Sequence, residues 1–165
     1  MVTLRKATVA DRTAVCAVHR ASALALGRSH YSPDELDAWV AHLVPDLYTE
    51  AIAAGELIVA EIDGVVVGVA QLDRGKEVIE LLYVLPERAG QGVGTLLLQA
   101  LEAGARSSGL RALRLDASLN SVGFYERHEY RTEGAGLHRT RAGREVRCVH
   151  MRKELAQKPG GNPRP

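Results

Sequence analysis

Apolar positions recur along this chain with two periods, and each change of period marks a change of element. Thr3 to Lys6 alternates as a short first strand. Thr8 and Asp11 then stand at capping-box spacing, and Ala14, Val18, Ala21 and Ala25 follow at helical intervals. A second helix is predicted to open at Ser32, with Pro33 in its first turn and Glu35 at the capping-box position. It carries Leu36, Trp39, Val40 and Leu43 and is expected to end at Pro45. From Glu56 to Leu72 the pattern becomes LIVAEI, Asp63-Gly64, VVVGVAQL, two β-branched runs joined by a tight-hairpin dipeptide. Val78 to Leu85 is apolar except for Glu80 and stops at Pro86, which predicts a buried central strand.

Helical spacing returns at Gly92, where Val93, Leu96, Leu97, Ala100 and Leu101 form one stripe and Gly109 occupies a C-cap position. Arg111 to Asp116 alternates as a strand, and Asn120 to His128 reads as a short helix. Tyr130 to His138 and Glu145 to Lys153 form a last hairpin around Ala142-Gly143. This order predicts an α/β or α+β fold with a mixed, largely antiparallel central sheet of about seven strands flanked by about four helices.

Length and composition fit one domain, residues 1–155, followed by a Pro- and Gly-rich tail, residues 156–165, expected to be disordered. The formal net charge of +1 gives no bulk argument for nucleic acid or membrane partners. Arginine outnumbers lysine seventeen to four, but the acidic residues nearly balance both. The arginines at 127, 131, 139, 141, 144 and 147 lack interleaved aromatics, so a solvated hairpin is preferred to a nucleic-acid surface. Cys16 and Cys148 make no disulfide framework, and the N-terminus has no long apolar region, so a cytoplasmic protein is expected. The histidines and cysteines show no metal-ligand spacing, and no metal is expected. A homodimer is left open.

The most informative segment is PERAGQGVGTLLLQA, Pro86 to Ala100, where a strand enters a glycine-rich turn that opens directly into a helix. Glycines at 90, 92 and 94 allow successive N–H groups to converge on a phosphate at the positive end of the helix. A tight packing turn is the alternative. A dinucleotide fingerprint would need glycine where Thr95 stands, and the Gly-Lys-Ser/Thr ending of a P-loop is missing.

ELLYVLPERAGQGVGTLLL, Glu80 to Leu98, resembles motif A of the GNAT superfamily of acetyl-CoA-dependent N-acetyltransferases. LDASLNSVGFYERHEYR, downstream, resembles motif B, and the resemblance spans Thr3 to about Leu155. YSPDELDAW and CVHMRKEL further resemble a small bacterial branch of that superfamily. Two positions depart from the family pattern. Ala89 replaces the usual Gln or Arg, a lost charge-assisted hydrogen bond worth ~1.5 to 3 kcal/mol, although Arg88 is adjacent. Glu129 stands where glycine is common.

The resemblance implies that the Val78 to Val84 strand splays from the Arg111 to Asp116 strand, with the pantetheine arm pairing near Leu82, Tyr83 and Val84. Arg88, Ala89, Gly90, Gln91, Gly92, Val93, Gly94 and Thr95 would hold the pyrophosphate, with Asn120, Phe124 and Arg127 completing the coenzyme side. Asn120 has helix capping as an alternative role, and Arg127 a solvated helix face. The Leu82 N–H would stabilise the oxyanion, and Tyr125 would protonate the departing thiolate unless it is only a core aromatic. Tyr31 and Trp39, with His30 and His42, fall where the acceptor is bound in relatives.

An acceptor amine must lose a proton that costs roughly 4 to 5 kcal/mol to remove at neutral pH. Strand alternation places Glu80 on one face with Val78, Leu82 and Val84, and a carboxylate desolvated in an apolar run gains the proton affinity a base needs. Glu80 is therefore the candidate base, with a wet strand end or pairing to an arginine as the alternative. The expected reaction is acetyl transfer from acetyl-CoA to a primary amine of a small molecule or peptide. A different acyl-CoA donor, or a non-catalytic CoA sensor, are the competing readings.

Overall fold

The computed structural model describes residues 1–156, so the expected tail lies outside the described residues beyond Ala156. The elements run β1 (Thr3–Lys6), α1 (Arg12–Gly27), α2 (Pro33–Val40), α3 (Thr49–Ala53), β2 (Leu57–Ile62), β3 (Val65–Asp73) and β4 (Val78–Val84). They continue with α4 (Val93–Ser107), β5 (Ala112–Ala117), α5 (Val122–Arg127), β6 (Arg131–Arg139) and β7 (Glu145–Glu154). The strands form one seven-stranded sheet in the order β1-β2-β3-β4-β5-β7-β6. Only β4 and β5 run parallel, so the sheet is mixed and largely antiparallel.

Local chemistry accounts for the element ends. Asp63 and Gly64 both have positive φ, the geometry of a type I′ turn between β2 and β3. Ser32 Oγ accepts the Glu35 N–H at 3.2 Å, and the Glu35 carboxylate accepts the Ser32 N–H at 2.9 Å, which closes the capping box of α2. α2 ends at Val40 rather than running to Pro45, and a 3-10 turn at Pro45–Tyr48 leads into α3, which periodicity did not reveal.

Two apolar layers sandwich the sheet. α1 packs Val15 and Val18 with Leu57, Val59 and Val69 on one face. On the other, α4 packs Leu97, Leu98 and Leu101 with Ala70, Leu72, Leu113 and Met151. In both helices the buried stripe is displaced from the predicted one. α1 buries Val15, Cys16 and His19 instead of Ala14, Ala21 and Ala25, because bulkier side chains bury more apolar area. In α4, Leu96 is 41% exposed and Leu98 only 1%. Gly68 lets α4 approach β3 closely, since a Cβ there would lie 2.9 Å from Leu97 Cδ1 and 3.2 Å from Val93 Cγ1.

Candidate functional site

β4 pairs with β5 only at Val78↔Arg114 and Ile79↔Leu115, after which the two strands part. The β3–β4 register explains why. Leu72 pairs with Ile79 and Gln71 with Leu81, so Glu80 is the extra residue of a β-bulge, a feature that bends a strand and ends its pairing. β4 is therefore central but not buried as predicted: of its seven residues only Ile79 is buried. The bulge also breaks the strand alternation. Leu82 and Val84 pack on the α4 side, whereas Glu80 shares the opposite face with Val78, Leu81 and Tyr83.

Backbone direction at the gap follows from one bond. The Leu85 N–H donates to Val67 O at 2.8 Å, so by alternation Tyr83 and Leu81 address β3. Leu82 and Val84 turn their N–H and C=O groups into the gap.

Beyond β4, a short 3-10 turn at Pro86–Arg88 leads into the glycine-rich loop. Gly90 and Gly92 have φ of 74° and 83°, and Gly92 is the left-handed N-cap of α4. The N–H groups of Arg88 and Ala89 donate to Leu85 O and Pro86 O, and that of Gln91 reaches Arg88 O at 3.4 Å. Among the described residues, those of Gly90, Gly92, Val93, Gly94 and Thr95 meet no acceptor. Unsatisfied amide donors at a helix N-terminus are suited to hold an anion. The Gln91 side chain is engaged elsewhere, donating to Glu87 O at 2.9 Å, while Arg88 is half-buried beside the loop.

α5 closes the far side of this loop. The Phe124 ring lies 3.5 Å from where a Cβ of Gly94 would stand, and Thr95 Oγ1 and His128 Nε2 are 3.2 Å apart. Asn120 does not cap α5, whose N-cap is Ser121. Its Oδ1 is instead buried with no hydrogen-bond partner among the described residues. Tyr125 is buried between Phe124 and Tyr130, and burial, with Tyr83 nearby, raises its hydroxyl pKa well above the usual phenol range. Arg127 is exposed and folds back over Gly123. Glu129 takes the left-handed position after α5 with φ of 69°, which is why glycine suits that place.

Comparison with known proteins agrees with this geometry. Residues 28–155 match the family model described as "Acetyltransferase (GNAT) domain". A GCN5-related N-acetyltransferase from Rhodopseudomonas palustris is similar at 30% identity and TM-score 0.84, over 93% of this chain and 95% of the other. The chain belongs to the GNAT acetyltransferase family. Two more distant acetyltransferase structures share its fold. The PaiA N-acetyltransferase of Thermoplasma acidophilum, in complex with coenzyme A, is 21% identical at TM-score 0.73, over 93% of this chain and 99% of the other. YncA of Salmonella typhimurium, a putative acetyltransferase with its cofactor acetyl-CoA, is 22% identical at TM-score 0.68, over 99% of both chains. No curated protein matches.

On the α1 side of the GNAT sheet, a cleft of about 950 Å³ runs to the mouth of the gap. Its lining includes Tyr31, Trp39, Glu80 and Tyr83, together with His19, Asp116 and His138, three residues that sequence reasoning did not single out. Tyr31 is fixed: its hydroxyl donates to Arg147 O at 2.7 Å and accepts the Leu119 N–H at 2.9 Å. Trp39 meets Tyr31 and Tyr83 edge to face. His19 stacks on Tyr83 with ring centroids 4.0 Å apart, and burial drives its pKa down to about 3, leaving it neutral. His42 also lines the cleft and is lowered by burial, while His30 lies outside it.

The Glu80 side chain is 30% exposed and 3.4 Å from the Lys76 ammonium, so it is a solvated, paired carboxylate and not the desolvated one its apolar neighbours predicted. The described residues contain no helix long and apolar enough to cross a membrane.

Proposed function

We propose that this protein transfers the acetyl group of acetyl-CoA to a primary amine of a small molecule or peptide. The observation that carries this reading is the run of unsatisfied amides at Gly90, Gly92, Val93, Gly94 and Thr95, beside a strand whose backbone is free at Leu82 and Val84. A diphosphate needs such a nest, and an extended amide-bearing arm needs such a strand edge. The orphaned Asn120 Oδ1 supports the fit, since it offers an acceptor to an arm N–H. The distant structures bound to coenzyme A and acetyl-CoA point the same way.

The co-substrate brings an activated acetyl thioester. The residues of this chain orient it and manage charge and protons. The amides from Gly90 to Thr95, the α4 dipole and Arg88 hold the diphosphate, with Ala89 contributing only backbone. Phe124 covers the loop and Arg127 supplies a cation at the coenzyme side. The Leu82 N–H donates to the carbonyl oxygen where negative charge develops. Tyr125 has no hydrogen-bond partner among the described residues, and its high proton affinity keeps the hydroxyl protonated and ready to donate to sulfur. The amine approaches from the cleft past Tyr31 and Trp39, where Glu80 attracts a cationic group.

Calorimetry with acetyl-CoA, followed by CoA release against amines, amino acids, antibiotics and peptide N-termini, tests this function. Binding with release on at least one amine is expected. An absence of binding heat overturns the reading, and binding without turnover favours a CoA sensor.

A further inference from the structure

Asp116 of β5 sits between two histidines drawn from two other strands. Its Oδ2 accepts the Nδ1–H of His138 in β6 at 2.9 Å, and its Oδ1 accepts the Nδ1–H of His150 in β7 at 2.7 Å. An ionised carboxylate only accepts, so both rings hold their proton on Nδ1 and present an Nε2 lone pair. Both side chains are 45% exposed, and both line the cleft that holds Glu80 and Tyr83. What marks His150 is its packing, since its Nε2 lies against the β6 backbone, where a Cβ at Gly136 would overlap it.

We infer that His138, oriented by Asp116, is the general base that takes the proton of the acceptor amine, and that His150 buttresses Asp116. This rests on the acetyl-transfer reading above. Asp116 from β5, Glu80 from β4, His19 from α1 and His42 after α2 act on His138, and Glu133, Arg139, Arg141, Arg114, Arg147, Cys148 and His150 line the same cleft. The Asp116 hydrogen bond dominates and raises the His138 pKa, with Glu80 adding to it. His19 and His42 are shifted the other way and stay neutral, so neither competes for the proton.

The proton balance closes. The ammonium group first gives one proton to His138 Nε2, which returns it to solvent. The amine lone pair then forms the C–N bond as the C–S bond breaks. The remaining excess N–H proton passes to water in the cleft, and sulfur takes one from Tyr125, which is replenished from solvent. One proton is released per turnover.

The test compares benzylamine, protonated at neutral pH, with methoxyamine, which is neutral there, using the full chain and acetyl-CoA. In His138→Gln, kcat/KM for benzylamine is expected to fall about 100-fold and to lose its acid limb, while methoxyamine is little changed. Equal slowing of both amines, or an unchanged benzylamine pH profile, overturns the inference. NMR titration of the His138 ring, which needs no acceptor, gives a second readout. Asp116→Asn should lower its midpoint, and an unmoved midpoint overturns the inference even if neither amine is a substrate.

Asp116, Cys148 and His150 also place three donor atoms within 4.8 Å. Stoichiometric zinc on the purified protein, lost in Cys148→Ser, would reassign the cluster and likewise overturn the base. Failure of the acetyl-transfer reading looks different, since the unmodified protein would then either not bind acetyl-CoA or bind it and turn over no amine, while the His138 titration would be unaffected.

Discussion

Ile79 of β4 and Leu115 of β5 form the last rung of the parallel ladder, and the strand edge beyond them is open. One inserted residue, Glu80, produces this opening. The same strand then delivers the chain to the glycine loop, so the gap and the anion nest are built by one continuous segment.

The nest depends on left-handed backbone at Gly92. Replacing Gly92 with Val forces a β-branched residue to φ near 83°, at a cost of about 1 to 2 kcal/mol. The loop relieves that strain by leaving its conformation. Acetyl-CoA affinity should fall about tenfold by calorimetry, with the far-UV spectrum unchanged.

Tyr125 separates chemistry from packing. Its hydroxyl bonds to nothing among the described residues, so Tyr125→Phe should change unfolding free energy by less than about 0.5 kcal/mol. Turnover should nevertheless drop about 100-fold. Full turnover in this variant would remove the tyrosine from proton transfer.

Glu129 occupies a conformation that costs a side-chain-bearing residue about 1 kcal/mol. Glu129→Gly should therefore stabilise the fold by that amount, or about 2 to 4 °C in Tm. The Lys153 contact it gives up spans 3.7 Å at an exposed carboxylate and contributes little.

Asp11 gives a pH-dependent stability. Two bonds from the Arg5 guanidinium, at 2.8 and 2.9 Å, and the Thr8 N–H at 2.7 Å hold its carboxyl well below the usual carboxylate range. A depressed folded-state pKa stabilises fully above the ordinary value near 3.8, and the contribution is lost as pH falls towards the folded value. Asp11→Ala should cost about 1.5 to 3 kcal/mol at neutral pH. In urea titrations that difference should shrink at about pH 3.

What the sequence discloses is what is local. The glycine spacing from Gly90 to Gly94, the Asp63-Gly64 turn and the Ser32 capping box each depend on a few adjacent residues, and the structure contains all three. The coarse element order was legible for the same reason. The bulge at Glu80 was not, because nothing in VIELLYV marks an unpaired residue and only the β3 register exposes it. The helix α3 is five residues long and too short to show a period. Asp116, His138 and His150 escaped notice because they meet only when β7 inserts between β5 and β6.

The central claim is that the main chain from Gly90 to Thr95 grips the diphosphate of acetyl-CoA. A titration of the 15N-labelled protein with acetyl-CoA, followed amide by amide, addresses it directly. The expected result is large, saturable shifts at Gly90, Gly92, Val93, Gly94 and Thr95, with Leu82 moving at the same ligand concentration. Saturation that leaves these amides unmoved, or no saturable change anywhere, would contradict it.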